Sequence, residues 1–160
     1  MKFEKSILFI DDDHRFSQNI VVEVELFGIV EYVRTIIAGE AFLLDPDAHI
    51  GSVILDMHMP NPDPELYTDD DTNSERSTGL IFLRRNKEFL IKNKIPTLIL
   101  TNRYLDESLR KELCDSEMPK NLLRFEHKHD ISARDVPRIL LEMLQIVKMH
   151  GIGDSTFTGE

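Results

Sequence analysis

The chain has one cysteine, Cys114, in 160 residues. No intrachain disulfide can form, and a reducing cytoplasm is the expected compartment. Nothing around Cys114 resembles the setting of a nucleophile, so it reads as a partly buried small apolar residue. Basic residues are also scarce: 19 Lys and Arg stand against 29 Asp and Glu, a net charge of −10. Direct nucleic-acid binding requires a basic face and is not expected. Long apolar runs are missing as well. None approaches the ~18 residues of a membrane span. The short apolar run Ile7-Leu8-Phe9-Ile10 is too brief for a signal peptide. With no internal repeat and no second apolar core, residues 1–150 read as one domain, and residues 151–160 as a flexible polar tail.

What the chain has is a set of short apolar runs that stop on polar residues. Ile7-Leu8-Phe9-Ile10 meets Asp11-Asp12-Asp13. Val53-Ile54-Leu55 meets Asp56, and Leu98-Ile99-Leu100 meets Thr101. A weaker run, Leu122-Leu123-Arg124-Phe125, approaches Lys128. Between the runs lie segments of helical period. Phe16, Ile20, Val24 and Phe27 form one stripe, and Gly28 follows where a C-cap glycine falls. Leu80, Leu83 and Leu90 form another, ending near Asn93 before Pro96. Asp106 caps a helix containing Leu109 and Leu113. Val136, Leu140, Met143 and Val147 mark a last helix, stopped by Gly151. Its start is ambiguous, because Ser132 with Asp135 resembles a capping box while Pro137 suits a cap at Asp135.

Strands are expected at residues 6–11, 32–37, 52–56, 97–101 and 122–128, with a short helix over 39–44 and a loop over 57–78. Alternation of strand and helix implies βαβ units and a parallel sheet. Five strands and five helices fit an α/β, flavodoxin-like doubly wound fold with strand order 2-1-3-4-5. In that order strands 1 and 3 are neighbours, and Asp11, Asp12 and Asp56 face one another at the switch point.

Such crowding is costly. Two unit charges about 4 Å apart repel by roughly 4 kcal/mol at an effective dielectric near 20. Hard oxygen donors beside an incoming phosphate suit Mg²⁺. Asp56, at the end of a buried strand, is placed to attack phosphorus. Thr101 can hydrogen-bond a phosphoryl oxygen, and Lys128 can neutralise another. Asp13 reads as a helix cap. The segment 61–78 sets Asp63, Glu65, Asp69, Asp70, Asp71 and Glu75 against Arg76 alone, and so holds half the net charge. It reads as a solvated, disordered acidic loop, with docking or gating as the sharper alternative. His127 and His129 share a strand face but make a weak metal pair.

These residues resemble the receiver (CheY-like) domain of two-component response regulators over about residues 5–148. The first strand with Asp11-Asp12 looks like that family's acidic pair. Leu55-Asp56-Met57-His58-Met59-Pro60 is similar to its phosphoacceptor segment, Ile95 to Thr101 resembles its fourth strand, and Phe125 stands at its switch-aromatic position. The resemblance implies that Asp11, Asp12 and Asp56 hold Mg²⁺, with the carbonyl of residue 58 completing the protein ligands. Asp56 then accepts a phosphoryl group from a sensor histidine kinase or histidine phosphotransfer protein. Thr101 and Phe125 move inward, and the surface of the last two helices and fifth strand changes. His58, Asn102 and Arg103 occupy positions that tune phosphoryl lifetime. The glycine that this family carries soon after the phosphoacceptor is here delayed to Gly79, which implies an acidic insertion over about 61–78. Asn102 stands where a small residue is usual, and His129 where proline is.

The function so implied is a cytoplasmic single-domain response regulator of a phosphorelay, which catalyses only its own phosphorylation and dephosphorylation. With only a short tail after the last helix, its output is expected through contact with a downstream protein. Asn102 and His129 motivate an alternative, a receiver-fold interaction protein that acts independently of phosphorylation. A third reading is a haloacid-dehalogenase-like phosphatase with Asp11 as nucleophile and Asp13 as general acid. It lacks the further acidic strand motif that family requires after the Lys, and the Thr expected soon after Asp13.

Overall fold

A computed structural model describes residues 2–159. Its strands are β1 (Ser6–Ile10), β2 (Val30–Val33), β3 (Ile50–Leu55), β4 (Thr97–Thr101) and β5 (Leu123–His127), and its helices are α1 (His14–Glu25), α2 (Ile36–Leu44), α3 (Asp69–Thr72), α4 (Thr78–Lys92), α5 (Glu107–Asp115) and α6 (Asp135–His150). A 3-10 turn, Lys120–Leu122, leads into β5. All strand pairs are parallel, and the order is β2-β1-β3-β4-β5, as the element order implied.

Strand side chains alternate between two faces, and each face has its own core. Leu8 and Ile10 of β1, Val53 and Leu55 of β3 and Ile99 of β4 face one way. They pack under α2, α4 and α5 through Leu43, Leu83, Leu90, Leu109 and Leu113. Ile7, Phe9, Ile54, Leu98 and Leu100 face the other way, against Ile20 and Val24 of α1 and Leu140 and Met143 of α6. Both faces of the central strands are covered, which is why these runs are continuously apolar.

Four local expectations need correction. The second strand is not residues 32–37 but Val30–Val33. The Thr35 side chain accepts a hydrogen bond from the Ala38 amide at 3.1 Å. That cap starts α2 at Ile36, so the apolar run Ile36-Ile37 belongs to a helix. Gly28 is not a left-handed cap, because α1 ends on Leu26 in a right-handed conformation. The missing Cβ of Gly28 instead leaves room for Phe3. Among the described residues there are six helices rather than five, because α3 forms inside the acidic insertion. A capping box starts it: Asp71 Oδ2 accepts from the Thr68 amide at 2.7 Å, and Thr68 Oγ1 accepts from the Asp71 amide at 3.2 Å.

The fourth correction concerns the tail, which is docked rather than frayed. Phe157 is buried, its amide donates to the Met118 carbonyl at 2.9 Å, and the Lys120 amide donates to the Ser155 carbonyl at 2.8 Å. One aromatic side chain supplies the apolar area that the polar composition of the segment conceals. At the start of α6 the cap is Arg134. Asp135 reaches back instead, accepting from the Ser132 amide at 2.9 Å.

Candidate functional site

Parallel pairing brings the carboxyl ends of the strands to one edge. The Asp11 amide donates to the Val33 carbonyl at 3.1 Å, the Asp56 amide to the Ile10 carbonyl at 3.0 Å, and the Lys128 amide to the Thr101 carbonyl at 2.9 Å. The ladder therefore carries the backbone of each polar residue one step past its apolar run. Asp11, Asp12 and Asp56 each offer a carboxylate oxygen, and these oxygens lie within 4.8 Å of one another. Lys128 Nζ sits 2.8 Å from Asp11 Oδ2 and 3.3 Å from Asp56 Oδ2. It also lies 4.5 Å from the centre of the Phe16 ring.

Burial and like charge shape the titration here. Loss of solvent, and secondarily the Asp56 carboxylate, push Asp11 up to about 7 despite Lys128. Asp12 is raised for the same two reasons. Burial works against the Lys128 charge, but Asp56 and Asp11 outweigh it and hold the ammonium above its usual value. The three carboxylates thus carry more negative charge than one ammonium offsets. Hard oxygen donors in this arrangement suit a small divalent cation.

A cleft of about 270 Å³ opens onto Asp56, with Asp12, His58, Asn102 and Lys128 in its walls. The exposed His58 stands on the rim, and its amide donates to Asp56 Oδ1 at 3.4 Å. Asn102 is exposed at the end of β4. Asp11 is fully buried and lies behind the lining. Asp13 caps α1, its Oδ1 accepting from the Phe16 amide at 3.2 Å. Thr101 is fully buried, and its hydroxyl accepts from the Arg103 amide at 3.3 Å. Phe125 is half-buried beside Leu105, Ile146 and Phe157, outside this cleft. Both ring nitrogens of His127 are engaged: Nδ1 accepts from the His129 amide at 3.2 Å, and Nε2 lies 2.8 Å from the Asn102 carbonyl. That leaves the pair no free ligand atom on His127.

Arg103 turns away from the cleft. Its Nη1 donates to Ser77 Oγ at 2.6 Å and to Glu112 Oε2 at 2.9 Å, and its Nη2 donates to Ser108 Oγ at 3.3 Å. Ser77 Oγ also donates to Glu112, and Asn73 Nδ2 donates to Glu112 Oε1 at 3.1 Å. This network ties the acidic insertion to α5. The insertion also reaches the cleft, because Glu75 is part of its lining. In the sequence Glu75 is one acid of a loop among others. Neither its position nor the Arg103 network had a signal in spacing, because both depend on how residues 61–78 fold back.

No protein-family model matches the chain, and no curated protein matches its sequence. Solved structures do match its fold. A CheY-like response regulator receiver domain protein from Methanospirillum hungatei is 16% identical with a TM-score of 0.67, over 92% of this chain and 98% of that one. A response regulator receiver domain protein from Clostridium thermocellum is 21% identical with a TM-score of 0.64, over 91% and 98%. The Vibrio cholerae chemotaxis protein CheY4 is 16% identical with a TM-score of 0.64, over 87% and 98%. The chain has the CheY-like receiver fold.

Proposed function

We propose that this chain is a response regulator receiver of a two-component phosphorelay that accepts a phosphoryl group on Asp56 and signals through protein contact. One observation carries the reading: Asp56 opens onto a cleft with the Lys128 ammonium 3.3 Å from its Oδ2 and two more carboxylates within 4.8 Å. The likeness of the fold to solved receiver domains supports the same reading.

A carboxylate oxygen of Asp56 attacks the phosphorus of a phosphohistidine on a kinase or phosphotransfer protein. A P–O bond forms and the P–N bond breaks. The electron pair stays on the imidazole nitrogen, which takes a proton from water, and Asp56 becomes an acyl phosphate. Lys128 offsets the charge on the transferred oxygens. Asp11, Asp12 and Asp56, with the residue-58 carbonyl, are the groups that would hold Mg²⁺, which supplies electrostatic neutralisation between carboxylates and phosphate. The Thr101 hydroxyl exchanges its hydrogen bond from the Arg103 amide for one that it donates to a phosphoryl oxygen. Phe125 lies in β5 beside Ile146 of α6, so a shift there changes the surface offered to a partner.

The chain acts as a phosphoacceptor rather than a turnover enzyme. Asp11, the nucleophile that the phosphatase reading requires, is fully buried and raised to about 7. Incubation with acetyl phosphate and Mg²⁺ is expected to label wild type and not Asp56→Ala. Absence of label on both wild type and Glu75→Gln, which removes one acid from the cleft lining, refutes the proposal.

A second reading is a receiver-fold protein that binds its partner without phosphorylation. It is supported by the Lys128 ammonium, which already bridges Asp11 and Asp56. Partner binding unchanged in Asp56→Asn would favour it.

A further inference from the structure

The acidic insertion does not only pass near Asp56; it places one carboxylate in the Asp56 cleft and clamps it there. Three consecutive non-glycine residues, Asn73, Ser74 and Glu75, hold positive φ values of 49°, 52° and 68°. Such a run costs backbone energy and persists only where its surroundings over-determine it. They do so here. The Glu75 carbonyl accepts from the Met59 amide at 3.2 Å, and its Oε1 accepts from the Asn61 amide at 3.0 Å. On one side, Asn73 Nδ2 donates to Glu112. On the other, Ser77 Oγ is held between Glu112 and the buried Arg103. Glu75 is therefore pinned from both flanks to α5.

The electrostatic consequence concerns what reaches Asp56. Glu75 joins Asp12 and Asp13 in the cleft lining. The cationic side chain of that lining, Lys128, lies inside, against Asp11 and Asp56. A small free phosphoryl donor brings its own negative charge and no compensating group. A protein donor presents its phosphohistidine on a surface that can carry Lys or Arg. Resting on the phosphoacceptor reading above, we infer that Glu75 is a specificity-determining residue, which disfavours small anionic phosphoryl donors and favours a protein donor with cationic side chains beside its phosphohistidine. Arg103, Ser77 and Glu112 are its positioning residues.

Glu75→Gln keeps the oxygen that accepts from Asn61 and removes the charge. With acetyl phosphate, Asp56 attacks phosphorus, the P–O bond to the acetyl group breaks, and acetate leaves with the electron pair. The rate of acyl phosphate formation, read by mass spectrometry at saturating Mg²⁺, is expected to rise about 3- to 10-fold in Glu75→Gln at low salt. That is the order of the Boltzmann factor for one unit charge acting on a singly or doubly charged donor across several ångströms of a water-like dielectric. The difference is expected to vanish near ~1 M salt, where the screening length falls to about 3 Å. Glu112→Gln, which loosens the clamp, is expected to give part of the rise, and the double variant no more than Glu75→Gln alone. Equal low-salt rates in wild type and Glu75→Gln, with wild type labelled, overturn the inference and leave the phosphoacceptor reading standing. Label on Glu75→Gln alone supports the inference. No label on either protein at any salt overturns both.

Discussion

Gly79 lies directly against Asp56. Its amide donates to the neighbouring Met57 carbonyl at 3.0 Å, and a Cβ on Gly79 would collide with the Asp56 carbonyl oxygen and the Met57 side chain. The start of α4 therefore packs on the backbone of Asp56, and the residues between them loop outward and return. Gly79 sits beside Asp56 although the whole acidic insertion separates the two in sequence.

Gly79→Ala is expected to destabilise the protein by about 1–3 kcal/mol, because the added methyl must displace backbone in a packed region. Urea denaturation measures this directly. An unchanged midpoint would mean that α4 does not pack on Asp56.

Lys128→Met removes the ammonium from between two buried carboxylates. A loss of about 3–5 kcal/mol is expected where both are ionised, and a smaller loss at pH 5, where Asp11 holds its proton. Denaturation of wild type and variant at pH 5 and pH 8 gives the comparison.

The raised Asp11 makes stability depend on pH with a definite sign. Its carboxyl ionises near its ordinary value of 3.8 when unfolded and at about 7 when folded. The folded state thus binds more protons between those values, and stability falls as pH rises through that window. Below it both states are protonated, and above it both are ionised. Mg²⁺ is expected to raise the melting temperature by a growing amount as pH rises through about 7, where Asp11 gives up its proton. Melting curves from pH 4 to 8, with and without Mg²⁺, test this, and a Mg²⁺ effect that grows towards low pH would contradict it.

Phe157→Ala is expected to cost roughly 3 kcal/mol, the usual range for emptying a buried aromatic site, since Phe157 is only 6% exposed. Hydrogen exchange would localise the change. Faster exchange of the Lys120 and Phe157 amides, which the docked tail protects, is the expected signature.

The strand ends were legible because burial on both faces makes β1, β3 and β4 read as unbroken apolar runs, so the residue that stops each run is visible. Asp11, Asp56 and Thr101 could be placed on one edge from that alone, and a parallel βαβ order then brought them together. The weaker reading of β2 had a physical reason. Apolar residues continue from Val33 past Thr35 into Ile36-Ile37, and only the Thr35 cap shows where the strand has ended. The tail and the insertion were less legible still. A segment that docks through one Phe157, or turns through three left-handed residues at Asn73 to Glu75, carries no period.

By itself the sequence determined the sheet, its order and which polar residues end its strands, because hydrophobic burial repeats along the chain and is local in sequence. Only the tertiary structure decided that Lys128 bridges Asp11 and Asp56, that Arg103 leaves the cleft for Ser77 and Glu112, and that Glu75 enters it. Those contacts join residues far apart in the chain through single directional hydrogen bonds and ion pairs. Their geometry exists only after the apolar faces have packed.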